Sequence, residues 1–92
     1  MNYYTIYNDE ILTDAGDAIF DLESEIEYLD ITPETYYALL DLIKEETQDY
    51  RPADCVDWYD DDDVNSAVAI AIEISDWCKK FFKEYEHLIA EI

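Results

Sequence analysis

The sequence predicts a mainly α fold: a small bundle of about three helices with a long C-terminal helix, and a short β-hairpin or strand at the N-terminus. Three observations predict it. Half of the residues are hydrophobic, and nine Tyr, three Phe and two Trp are among them, far more apolar material than a disordered acidic chain carries. One glycine and two prolines supply too little turn chemistry for a fold of many short strands. Apolar residues also recur three and four apart over most of the chain, which is the helical period. At 92 residues there is room for a single acidic helical domain, 1–92, around one modest core.

The elements follow in order. Tyr3-Tyr4-Thr5-Ile6-Tyr7 is rich in β-formers, Asn8-Asp9 suits a turn, and Glu10-Ile11-Leu12-Thr13 can return as a second strand. Such a hairpin is marginal alone and has to lie against a helix. From about Asp14 to Leu29 the period becomes helical, with Ala15, Ala18, Ile19, Leu22, Ile26 and Leu29 on one face and Thr13 or Asp14 as N-cap. Thr32-Pro33-Glu34-Thr35 announces a second helix, Thr32 capping and Pro33 at the first helical position. Its buried face is Tyr36, Leu39, Leu40 and Ile43, and it ends near Thr47 or Gln48.

Residues 49–63 have no steady period, and Pro52 forbids a continuous helix through them, so they form a long connection anchored by Trp58 and Tyr59. The last segment is the clearest. Val64, Ala67, Ala71, Ile74, Cys78, Phe81, Tyr85, Leu88 and Ile92 alternate three and four apart, an a/d seam along a helix of about 43 Å. That exceeds the width of a globule whose radius of gyration is roughly 12 Å. The helix is therefore expected to kink, or to project and pair with a second copy; Ile74, Phe81, Tyr85 and Leu88 are the candidate dimer contacts.

Charge is the outlying property. Twenty-five acids face five bases, for a net charge of −20. Solubility asks for a magnitude of about 2 to 8 in a small domain, and a larger excess destabilises the compact state by self-repulsion. The excess implies a use: a basic protein partner, a bound cation, or adaptation to extreme salt. No base precedes Lys44, whereas Lys79, Lys80 and Lys83 cluster on the last helix. Asp14, Asp17, Asp21 and Glu25 form one acidic stripe on the first helix, and Glu23, Glu27, Asp30 and Glu34 continue a neighbouring one. Asp54, Asp57, Asp60, Asp61, Asp62 and Asp63 supply a second row from the long connection. Seven acids between Asp14 and Asp30 on a helix of roughly 25 Å give about one charge per 3.5 Å, close to the spacing of about 3.4 Å along one DNA strand. All of these are candidate partner-binding residues.

Other chemistry finds little footing. An EF-hand requires a glycine at the sixth loop position, which the Asp57–Asp63 region lacks, leaving at most a weak divalent-cation site at Asp60–Asp63. Cys55, Cys78 and His87 have no zinc-ligand spacing and read as reduced thiols and a surface imidazole, so no metal and no cofactor are expected. Gly16 alone gives no phosphate loop, no nucleophile has a recognisable base, and no catalytic residue is assigned. Direct nucleic-acid binding is opposed by like charge. No membrane span and no export signal are visible, so a cytoplasmic protein is expected.

On the segments DAGDAIFDLESEIEYLD and DWYDDDD, the chain resembles bacteriophage DNA-mimic proteins of the anti-restriction and anti-CRISPR class. The resemblance lies in composition, acid-striped helices and a long apolar helix, and no diagnostic motif carries it. It implies a non-enzymatic inhibitor that occludes the groove of a basic nucleic-acid-binding protein. The alternative is an immunity protein or antitoxin that masks a basic nuclease toxin, for which a tyrosine patch of Tyr36, Tyr37, Tyr50 and Tyr59 suits a tight interface.

Overall fold

The computed structural model describes the backbone of residues 3–91 and the side chains of 7–81, 83 and 84. Three α-helices follow one another: α1 (Tyr3–Ile26), α2 (Pro33–Glu46) and α3 (Asp61–Glu91), with a single 3-10 turn over Ala53–Cys55 between α2 and α3. The protein is mainly helical, and no strand occurs among the described residues.

α1 begins well before its expected start. Thr13 and Asp14, expected as caps, are exposed mid-helix residues, and Glu10–Thr13, expected as a return strand, lie within α1 with Leu12 fully buried. The reason is that the apolar stripe does not stop at Ala15. Asn8, Leu12, Ala15, Leu22 and Ile26 are all buried, at steps of three, four and seven that keep one face. The side chains of the expected first strand, up to Ile6, lie outside the described residues. At its other end α1 stops at Ile26, three residues short of Leu29, and the chain tightens into bonds from Tyr28 N to Glu25 O (3.1 Å) and Leu29 N to Ile26 O (3.3 Å).

Four like-charge pairs burden α1: Glu10/Asp14, Asp14/Asp17, Asp17/Asp21 and Asp21/Glu25. At about 0.2–0.5 kcal/mol each they cost roughly 1–2 kcal/mol. Burial of Leu12, Leu22 and Ile26, each no more than 1% exposed, contributes roughly 1.5–3 kcal/mol per side chain. Tertiary packing therefore outweighs the repulsion and holds the helix.

α2 starts as its sequence predicts. Thr32 is extended (φ −69°, ψ 154°), its hydroxyl accepts from Thr35 N at 3.2 Å, and Pro33 occupies the first helical position. It closes at Thr47, whose N–H and hydroxyl both donate to Ile43 O, at 3.0 and 2.7 Å. α3 starts at Asp61 rather than Val64, because Asp60 caps it: its Oδ1 accepts from the Asp62 and Asp63 amides at 3.0 and 3.4 Å.

The core shows how the helices run. Leu12 and Ala15 of α1 cluster with Val64, Ala67 and Ala71 of α3, while Leu22 and Ile26 cluster with Ile74, Cys78 and Phe81. Numbers rise together, so α1 and α3 are parallel, and the chain between them must travel back along their length. α2 makes the first half of that return, placing Leu39 and Ile43 in the Leu22–Phe81 cluster. The connection makes the second half, placing Val56, with Ala53 and Trp58 beside it, on the Leu12–Ala71 cluster.

Three contacts fix that irregular half. Trp58 Nε1 donates to Ala53 O at 3.0 Å, and Arg51 pairs with the Asp63 carboxylate at 2.9 Å. Tyr50 reaches across to α1, its hydroxyl donating to Leu12 O at 2.9 Å, and a Cβ on Gly16 would stand 2.6 Å from that hydroxyl oxygen. The one glycine in the chain is thus the notch that receives the Tyr50 ring. Trp58 anchors the connection as expected, but Tyr59 does not, being fully exposed.

The molecule measures 47 × 18 × 18 Å, with a radius of gyration of 15.0 Å. A straight 31-residue helix is about 46 Å long, so α3 spans the whole long axis without folding back. The expected globule is a rod.

Replacing Gly16 by Ala adds about 1 kcal/mol of helix propensity but forces the Tyr50 ring out, at a cost of roughly 1–3 kcal/mol for the overpacking. Gly16→Ala is expected to destabilise the protein, and to become neutral or stabilising in a Tyr50→Phe background. Urea unfolding of the four proteins in the cycle measures this, and strictly additive effects would refute the notch.

Candidate functional site

The acids expected on α1 are almost all exposed, but they do not form adjacent stripes. At about 100° per residue, Asp14, Asp17, Asp21 and Glu25 centre on one flank, and Glu23 and Glu27 lie about 140° away around the helix. The core face lies between them on one side, so no flat partner touches both sets. Asp30 and Glu34 extend neither stripe: α1 has ended, Asp30 sits in the turn and Glu34 in the first turn of α2. The density match with DNA weakens accordingly. One flank carries four carboxylates from Asp14 to Glu25, about one per 5 Å, sparser than the phosphates of a DNA strand at about 3.4 Å.

What that flank has instead is a neighbour on α3. Between α1 and α3 an open groove of about 470 Å³ is lined by Ile11, Asp14, Asp17, Ala18 and Asp21 from α1 and by Ile72, Ser75, Asp76 and Lys79 from α3. Four carboxylates stand on its two walls, with Ile11, Ala18 and Ile72 as apolar lining. Spacing along the chain does not single out Asp76 and Ile72 as site residues. The signal for them is Ile72, Asp76 and Lys79 at helical spacing on α3, but only the parallel pairing of α1 and α3 brings these residues opposite Asp14–Asp21. On the outer side of the same stripe Phe20 is 69% exposed, beside Asp21, Ser24 and Glu25.

The carboxylates of the connection have local partners. Asp60 caps α3, Asp57 Oδ1 accepts from Tyr59 N at 3.1 Å, and Asp63 Oδ2 accepts from Asp57 N at 2.8 Å. Asp63 Oδ1 meets Arg51 Nη1, and Arg51 Nη2 also donates to Asp63 O at 3.3 Å. Asp61, Asp62 and Asp63 form the first turn of α3, where negative charge faces the positive end of the helix dipole. The row expected as a second track of free carboxylates is thus in large part the start of a helix, with Asp54, Asp61 and Asp62 exposed beside it. Among the described residues no group of three or more His, Cys, Asp or Glu is placed to hold a metal ion. Asp63 is held below the ordinary carboxylate range, first by the Asp57 amide and then by Arg51.

The tyrosine patch is also divided. Tyr50 is docked on α1, where burial, and then the charge of Asp17, push its phenol above the ordinary value. Tyr36 packs against the core and edge-on to Tyr37, with ring centroids 5.3 Å apart. Tyr37 and Tyr59 are exposed. Of the residues expected at a dimer seam, Ile74 and Phe81 are 4% and 3% exposed within a single chain and face its own core. Tyr85 and Leu88 lie outside the described side chains. Cys55 is exposed and Cys78 buried, both as free thiols, and burial pushes the Cys78 thiol up to about 11.

Among the described residues the one ion pair is Arg51–Asp63, so the flank carboxylates of α1 have no ionic partner there. No helix among the described residues is long and apolar enough to cross a membrane. No family model matches the chain, and neither does any curated protein or solved structure.

An unfolded Asp63 titrates near pH 4, at about 3.9, and its folded value is lower, so its contribution to stability is complete above the unfolded value and fades as pH falls through the folded one. Asp63→Asn is expected to be less stable than the parent at neutral pH, with the difference shrinking in acid. Denaturant unfolding near pH 7 and near pH 3 checks it; a difference that grows in acid would contradict the assignment.

Proposed function

We propose that this protein is a non-enzymatic acidic inhibitor that imitates DNA and occludes the nucleic-acid-binding groove of a basic host defence protein, a CRISPR–Cas complex or a restriction enzyme. It acts in the host cytoplasm, without a cofactor and without touching nucleic acid itself. The observation that carries the reading is the flank of Asp14, Asp17, Asp21 and Glu25, four exposed carboxylates on one helix with no ionic partner among the described residues. Their mutual repulsion is a standing cost in the free protein, and Lys and Arg side chains of a partner relieve it. A row of carboxylates gathers cations around itself, and a basic partner releases them on binding, as it releases the counterions condensed on DNA. Because the flank is sparser than a DNA strand, it substitutes for a subset of phosphates, and Asp76 across the groove adds to the field from α3.

A second reading, an immunity protein that masks a basic nuclease, is favoured by the exposed rings. Phe20, Tyr37 and Tyr59 are 69%, 62% and 101% exposed, and aromatic anchors of this kind dominate tight protein interfaces. The two readings share a basic partner and differ in what that partner does.

The triple reversal Asp17→Lys, Asp21→Lys, Glu25→Lys is expected to weaken the complex with the basic partner by about 1.5 kcal/mol or more per close charge pair lost. Affinity should fall steeply with added salt, and duplex DNA should compete. Titration calorimetry with the partner at two salt concentrations measures it. Unchanged affinity in the triple variant would exclude this flank, and a complex indifferent to DNA would exclude occlusion of a nucleic-acid-binding groove.

A further inference from the structure

We infer that residues 51–59 form a strap that swings open as one unit, hinged at Tyr50 and Asp60 and latched by the Asp63 carboxylate, while the rest of the bundle stays packed. This is a motion of the chain itself and does not rest on the identity of any partner. Its first ground is how weakly the segment is tied to its surroundings. Among the described residues its backbone–backbone bonds all close within four residues, as from Cys55 N to Pro52 O, Val56 N to Ala53 O and Asp60 N to Asp57 O, so none reaches α1 or α3. Val56 is its one buried side chain, at 7% exposure. Irregular chain with little buried apolar surface lies at the low end of local stability.

The second ground is where the fastenings converge. Asp63, in the first turn of α3, takes Arg51 on Oδ1 at 2.9 Å and the Asp57 amide on Oδ2 at 2.8 Å. One carboxylate therefore holds both ends of the 51–57 loop. Arg51 Nη2 adds a bond to the Asp63 carbonyl at 3.3 Å. The bond from Trp58 Nε1 to Ala53 O lies within the strap and closes it on itself, so the segment travels together. Its borders are firm by contrast. Tyr50 packs on both apolar clusters and donates to Leu12 O, and Asp60 caps α3. Opening lifts Val56 and Trp58 from the Leu12–Ala71 cluster and leaves the Leu22–Phe81 cluster untouched.

Two thiols in one chain test this. Cys55→Ser with Val56→Cys puts a thiol on the underside of the strap and keeps the native Cys78 in the other cluster. Both are labelled with dithiodipyridine, an uncharged reagent that the acids do not repel, under conditions where the rate follows the open population. The strap thiol is expected to react about tenfold or more faster than Cys78, each scaled to its rate in the unfolded chain. Urea should speed it little, because its opening exposes little surface. Ile43→Val, in the cluster away from the strap, should speed Cys78 roughly two- to tenfold and leave the strap thiol unchanged. Asp63→Asn should speed both about tenfold, since it weakens the closed form against every open one. Val56→Cys itself trims the anchor of the strap, so cleavage of the folded protein by an Asp-specific protease repeats the comparison with Val56 in place. Cutting at Asp54 or Asp57 should be indifferent to Ile43→Val and faster in Asp63→Asn. An Ile43→Val effect of equal size on both thiols, or on cleavage as much as on Cys78, would mean a single cooperative unit and overturn the inference. A strap thiol that ignores Asp63→Asn would overturn the latch.

Discussion

Parallel alignment of the two long helices is the constraint on which the rest of the structure depends. Consecutive helices in a small bundle ordinarily reverse direction across a short loop. Here the two that share the main seam point the same way, so the intervening chain has to return the full length between them. α2 is only about 21 Å long and covers half of the seam. The other half is closed by residues without regular structure, and such residues need individual fastenings. Tyr50 on the Gly16 notch, Trp58 on Ala53 and the Arg51–Asp63 pair are those fastenings. The Leu12–Ala71 cluster depends on them, since Val56 reaches it only if the connection is held down.

The same constraint sorts the acids into two kinds. Those of the connection are spent on backbone amides, a guanidinium and a helix start, where a carboxylate is stabilising even in a chain of net charge −20. Those of α1 stand on a face that no other element covers. Their repulsion is offset by apolar burial on the opposite side of the helix, not by neighbouring cations. Placing α3 beside α1 in parallel then turns a stripe into one wall of a groove and supplies the other wall from Asp76.

Much of the fold is legible in the sequence because local signals carry it. Thr32-Pro33 fixes the start of α2 through capping chemistry that acts within four residues, and the unbroken apolar repeat of α3 needs no tertiary information. The misreadings arise where tertiary contact outweighs propensity. Asn8 and the Glu10–Thr13 stretch look like a turn and a strand, yet burial of Leu12 against α3 keeps them helical. Asn8 is itself an exception to the pattern, a buried amide whose Nδ2 has no hydrogen-bond partner among the described residues. The site is half legible: the α1 stripe comes from spacing alone. Its opposite wall does not, since the direction in which α3 passes α1 is written in no short segment. Likewise the four consecutive aspartates read as free charge, because a cap is recognised by the helix it opens and the apolar period of α3 becomes visible only from Val64.

The rod shape has a hydrodynamic consequence. A 10.9 kDa chain drawn out to 47 Å along one axis and 18 Å across the others has more friction than a sphere of its mass. In a sieving matrix it elutes ahead of its mass, and the counterion cloud of its acids enlarges it further at low ionic strength. An elution volume therefore overstates the mass of such a rod, and stoichiometry has to come from a method that weighs particles rather than sizes them.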